Sequence, residues 1–109
     1  MAESMKQILL KGNAAIERGQ HEEFLAFCTE DTEWNFLGDR VLRGKDAVRA
    51  YMKETYEQPP KVTVEKLVAE GETLVAIGRI SLNGEAEQNY CDVWEFRDGK
   101  LAKLKAFVI

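Results

Sequence analysis

One histidine and two cysteines in 109 residues leave little for metal or nucleophilic chemistry. His21 stands alone among acids at the start of a short segment, and that setting reads as surface. With no second histidine, no cluster of His and Cys can hold zinc, and no His-containing triad exists beyond that one residue. Cys28 and Cys91 are far apart, without metal or redox spacing, and both read as buried free thiols. No Gly-rich phosphate loop occurs, so no nucleotide cofactor is implied, and neither is any other cofactor or metal.

Also missing is any apolar run of membrane-spanning length. The opening Met1-Ala2-Glu3 carries an acid where a secretory leader needs basic charge, so a soluble, cytoplasmic protein without a membrane partner is expected. A net charge of −4 argues against nucleic acid, whose backbone needs clustered Lys and Arg. The nearest basic group, Arg97, Lys100, Lys103 and Lys105, reads as the solvated side of a hairpin. The adjacent acids Glu22-Glu23 and Glu30-Asp31 read as solvated surface.

What remains suits one domain over residues 1–109, with 45% hydrophobic residues for a core and 31% charged residues for its outside. Met5, Ile8, Leu9, Gly12, Ala15 and Ile16 recur at helical spacing before Gly19, which predicts a first amphipathic helix. A second runs from His21 to Cys28 with Phe24 and Phe27 inward, and Thr29-Glu30-Asp31 forms a turn. Residues 32–37 alternate as a half-buried strand, Trp34 and Phe36 on one face, Glu33 and Asn35 on the other. Val41-Leu42 forms a short strand. A third helix from Lys45 to Tyr56 carries Val48, Tyr51 and Met52, and Pro59-Pro60 ends it.

Beyond the prolines, strands at 61–70, 73–82, 87–96 and 101–109 are separated by Gly71, Asn83-Gly84 and Asp98-Gly99, which are tight-turn signals. Helices first and a strand meander afterwards define an α+β domain. The sheet is apolar on both faces. Leu74, Ala76, Ile80 and Leu82 share one, while Val75, Ile77, Cys91 and Val93 lie on the other, which predicts a homodimer through the outer face.

The stretch Ile16-Glu-Arg-Gly19, Trp34-Asn-Phe36, Arg43-Gly44-Lys45-Asp46-Ala47-Val48 and the closing Asp92-Val-Trp-Glu-Phe-Arg-Asp-Gly-Lys-Leu101 together resemble the nuclear transport factor 2-like superfamily, which includes ketosteroid isomerases and SnoaL-like polyketide cyclases. The resemblance implies a cone-shaped, curved antiparallel sheet with three N-terminal helical segments packed on its concave face. Transferred residue by residue, it also implies losses. Where ketosteroid isomerases carry an oxyanion-stabilising tyrosine this chain has Gly12, with Asn13 beside it, and where their general-base aspartate stands it has Phe36. Similarity to limonene epoxide hydrolases fails as well, since Ala106 and Ala76-Ile77-Gly78 occupy the strands that carry their acids. The remaining isomerase position, the protonated aspartic acid of the oxyanion hole, is matched by Asp92.

Asp92 shares a strand face with Gln88, Tyr90, Trp94 and Phe96, neighbours that would desolvate a carboxyl and favour its neutral form. As a pocket acid it would donate a hydrogen bond to a carbonyl or enolate oxygen. Alternatively it faces outward or pairs with Arg or Lys. Trp34, Tyr51, Tyr90 and Trp94 either line an apolar cup for a ligand or fill the core. Asn35 reaches such a ligand only if its strand register turns it inward. These residues define a small-molecule-binding protein for an apolar carbonyl compound, with Asp92 as its candidate catalytic acid in isomerase, cyclase or dehydratase chemistry. The alternative is a non-catalytic dimerisation or partner-binding domain with a filled pocket.

Overall fold

The computed structural model describes residues 4–108. The acidic start at Glu3 and the Ile109 end of the last predicted strand lie outside them. α1 (Met5–Glu17) opens with a capping box. The Gln7 N–H donates to Ser4 Oγ, and the Ser4 N–H donates to Gln7 Oε1. Its predicted stripe of Ile8, Leu9, Gly12, Ala15 and Ile16 is buried. α2 (His21–Leu25) packs close at Gly12, where a Cβ would stand only 3.0 Å from Phe24 Cδ1.

Helix α2 ends sooner than predicted, and the expected turn at Thr29-Glu30-Asp31 is strand instead, part of β1 (Cys28–Phe36). The reason is a partner distant in sequence. The Leu101 N–H donates to the Phe27 carbonyl, Cys28 pairs with Leu101, and the buried Thr32 hydroxyl donates to the Leu101 carbonyl at 3.1 Å. β2 (Arg40–Arg43) and α3 (Lys45–Thr55) follow as the sequence predicts, with Tyr56 as the C-cap of α3.

The meander comprises β3 (Lys61–Glu70), β4 (Thr73–Ser81), β5 (Gln88–Arg97) and β6 (Lys100–Val108). Asp98 and Gly99 take the left-handed φ values of 54° and 75° that a two-residue hairpin requires. All six strands form one curved, unclosed sheet in the order β2-β1-β6-β5-β4-β3. β1 pairs with β6 in parallel, and the other pairings are antiparallel. The parallel contact departs from a purely antiparallel sheet because the chain re-enters beside its first strand only after a long crossover.

Register shifts between Val64 and Lys66 in β3 and between Glu95 and Phe96 in β5 bend the strands, as bulges do. Where β4 passes the β3 bend, Gly78 approaches so closely that an added Cβ would lie 2.0 Å from the Thr63 carbonyl oxygen. The three helices cover the concave face, and the core forms there from Leu9, Phe24, Val48, Met52, Leu74, Trp94, Leu104 and their neighbours.

Candidate functional site

Between the helices and the concave sheet face lies a cavity of about 110 Å³. Strand pairing builds its floor. Ala76, Asp92, Ala106 and Phe36 sit opposite one another across β4, β5, β6 and β1, so one carboxyl is flanked by methyl groups. Every predicted site residue lines this cavity: Trp34 from β1, Tyr51 from α3, and Tyr90, Asp92 and Trp94 from β5. Asn35 does not, because it shares the opposite face with Val41 and Lys105.

Asp92 therefore neither faces outward nor pairs with a cation. No Lys, Arg or His lines the cavity, and no hydrogen bond or ion pair from a described residue reaches its carboxyl. Burial alone pushes it up to about 7 from an ordinary 3.8. Desolvation penalises the anion and nothing nearby offsets that penalty, so the acid holds its proton into the neutral range.

The aromatic residues belong to the core and also wall the cavity. Trp34 is a hub of edge-to-face contacts, its ring centroid 5.8 Å from Phe24, 6.1 Å from Tyr51 and 6.0 Å from Trp94. Such contacts fill the core and at the same time fix the cavity wall. The indole Nε1 atoms of Trp34 and Trp94 are buried without a hydrogen-bond partner. Tyr90 is pushed up to about 12 by burial first and by the Asp92 carboxylate second, and burial also raises Tyr51.

Tyr56 is a cavity residue that sequence reasoning missed. Burial is the first cause raising its phenol, followed by the charges of Tyr51 and Asp92, which brings it into the electrostatic neighbourhood of the acid. Its position depends on a loop far along the chain. Asn83 accepts the Gln58 N–H at 3.0 Å and donates its side-chain amide to the Thr55 carbonyl at 3.0 Å, clamping the segment on both sides of Tyr56. His21 is half-buried rather than exposed, its ring 6.1 Å from that of Tyr56.

Away from the cavity, Cys28 is buried, its thiol pushed up to about 12 by burial, whereas Cys91 is only half-buried on the outer face. Both are free thiols. Surface acids are paired rather than simply solvated. Glu22 holds Arg49 across α2 and α3, Glu30 meets Lys45, and Asp31 bonds Arg97 of the basic hairpin. No helix among the described residues is long and apolar enough to cross a membrane.

Fold and cavity together define a member of a broad class of cone-shaped α+β domains. The SnoaL-like domain family matches residues 11–104, and the chain belongs to that family. No curated protein matches the chain in sequence. Among solved structures, an NTF2-like protein of unknown function from Cytophaga hutchinsonii superposes with a TM-score of 0.88 at 16% identity, covering 100% of this chain and 93% of that one. A candidate ketosteroid isomerase from Kribbella flavida gives 0.86 at 20% identity, over 99% of this chain and 79% of that chain. TerC, co-crystallized with polyporic acid, gives 0.80 at 16% identity, over 95% and 90%. At these identities the likeness is one of fold.

Proposed function

We propose that this chain binds a small, largely apolar carbonyl compound in the cavity, with Asp92 as a protonated acid donating to the ligand oxygen. The observation that carries this reading is a lone carboxyl, unpaired and raised to about 7, on the floor of an apolar cavity. A neutral acid there would stabilise charge developing on an enol or enolate oxygen, which suits cofactor-independent isomerase, cyclase or dehydratase chemistry. No second carboxylate and no histidine among the described residues lines the cavity, so the site would supply the acid of such a reaction and no separate protein base. Carboxyl-carbon NMR across pH tests the reading. An Asp92 titration near 7 that moves upward with a bound ketone supports it, and an ordinary aspartate titration defeats it.

A second copy of the chain is the proposed partner of the outer sheet face. Val75, Ile77, Cys91, Val93 and Phe107 adjoin there across β4, β5 and β6, and Ile77 and Phe107 keep 40% and 41% of their surface exposed. Apolar area of this kind is usually covered. Sedimentation should give a dimer at micromolar concentration, and Ile77→Asp should give a monomer. A monomeric wild type overturns the proposal. A cytoplasmic location, with neither membrane nor nucleic acid as partner, belongs to the same reading.

A further inference from the structure

We infer that Arg40 is a specificity-determining residue at the rim of the cavity, and that the ligand is a carbonyl compound with an anionic group, its oxygen acceptor at Asp92 and its charged end at Arg40. This inference rests on the carbonyl-binding reading above and adds the second end of the ligand. Its first support is strand register. Arg40 pairs with Phe36, Phe36 with Ala106 and Ala106 with Asp92, so one row crosses β2, β1, β6 and β5 from the cation to the acid. Residues directly opposite one another share a face of the sheet. Arg40 therefore projects from the concave face that holds the acid, as does Leu42, which packs against the core.

Contact with the cavity wall is the second support. The Arg40 guanidinium stands over the Tyr51 ring, 5.6 Å from its centroid, and both Tyr51 and Phe36 line the cavity. At that distance a guanidinium is attracted by the negative face of the ring. Burial is the first cause raising the Tyr51 phenol, and the Arg40 charge is among the causes that oppose it, so the cation acts on a hydroxyl of the wall.

Availability gives the third support. Arg49 holds Glu22 and Asp46, and Arg97 holds Asp31. Arg40 instead approaches its neighbour Asp39 at 3.7 Å, beyond hydrogen-bond distance, with both side chains more than half exposed. Such a pair holds the guanidinium weakly and leaves its donors open to an anion. Inside the cavity an anion would meet no Lys, Arg or His among the described residues, so a charged end belongs at the rim. Three strand spacings separate the ends of the row, about 14 Å between α-carbons along the sheet. Because the face is concave, side chains rising from those ends converge, and an aliphatic chain of several carbons spans what remains.

Three straight-chain ketones test this at pH 6: 7-oxooctanoate, its methyl ester and 2-octanone, titrated into the full chain and read on the indole N–H signals of Trp34 and Trp94. The acid should bind wild type at least about threefold more tightly than either neutral ketone, and added salt should shrink that margin. Arg40→Gln should bring the three to similar affinity without changing 2-octanone binding, and Arg40→Lys should keep part of the preference. Arg43→Gln removes the same charge from the outer face of the same strand and should leave the preference intact. If wild type binds acid and ester equally, or Arg40→Gln keeps the margin, the Arg40 inference fails and the carbonyl reading stands. If Arg43→Gln abolishes the margin as Arg40→Gln does, net charge accounts for it and the Arg40 inference fails again. If none of the three ketones binds, the carbonyl reading fails and this inference with it.

Discussion

Ala106 stands directly opposite Asp92 in the β5–β6 ladder, a methyl group facing a carboxyl on the cavity floor. With Ala76 in the matching place on β4, neither cross-strand partner of the acid can stabilise its anion.

Stability should record that isolation. Below about pH 3.8 both folded and unfolded chains hold the Asp92 proton, so the residue contributes no difference. As pH rises the unfolded chain ionises first and the native state loses relative stability, a loss that levels off above about 7. Asp92→Asn should therefore match wild type near pH 4 and exceed it progressively up to pH 8, by at most about 4 kcal/mol. Urea denaturation of both proteins at pH 4, 6 and 8 measures this, and a constant difference at all three would contradict it.

Gly78→Ala should be among the most damaging small substitutions. Its Cβ would meet the Thr63 carbonyl oxygen at 2.0 Å, and backbone cannot swing aside as a side-chain tip can. A loss of about 3 kcal/mol or more is expected. Gly84→Ala, at φ 77° but in open space, should cost only about 1–2 kcal/mol. Thermal melts of the two variants compare them.

Asn83→Ala removes both bonds of the clamp around Tyr56, at a cost of about 1–2 kcal/mol. Because Tyr56 lines the cavity, ligand affinity should fall further than it does for an equally destabilising change on the outer face. Titration of Asn83→Ala beside a matched outer-face variant separates the two effects.

Steroid isomerase activity should be absent. By the resemblance to ketosteroid isomerases, Phe36 stands where they carry their proton-abstracting acid, and general-base catalysis is typically worth about 10²–10⁴-fold. Gly12→Tyr should not restore an oxyanion donor, because Phe24 already crowds the Cβ position at 3.0 Å. That variant should melt lower and remain inactive on a β,γ-unsaturated ketosteroid in an absorbance assay. Robust turnover by the wild type would contradict the placement of both residues.

Local signals were readable wherever the chain's own chemistry set the outcome. Asp98-Gly99 makes its hairpin through backbone angles that few other residues adopt, and alternation along β5 puts Tyr90, Asp92 and Trp94 on one face. Non-local pairing was not readable. Thr29-Glu30-Asp31 has the polarity of a turn, and only the return of β6 makes it strand. Tyr56 likewise looks like the last residue of a helix. Its approach to Asp92 depends on Asn83, which the sequence marks only as a hairpin turn and the structure uses as a clamp.

The pairing of β1 with β6 also sets an order of events. On a ribosome the first strand is made early, yet its parallel neighbour is the last strand of the sheet to emerge. Until then Trp34 lacks Leu104 beside it, and the apolar faces of α1 and α3 have no complete floor to cover them. Non-local strand pairing of this kind slows folding, commonly into the millisecond-to-second range of about 10⁻³–1 s. Nascent chains arrested before Leu101 should accordingly be caught by chaperones and degraded, and protease resistance should arrive in one step when β6 clears the exit tunnel.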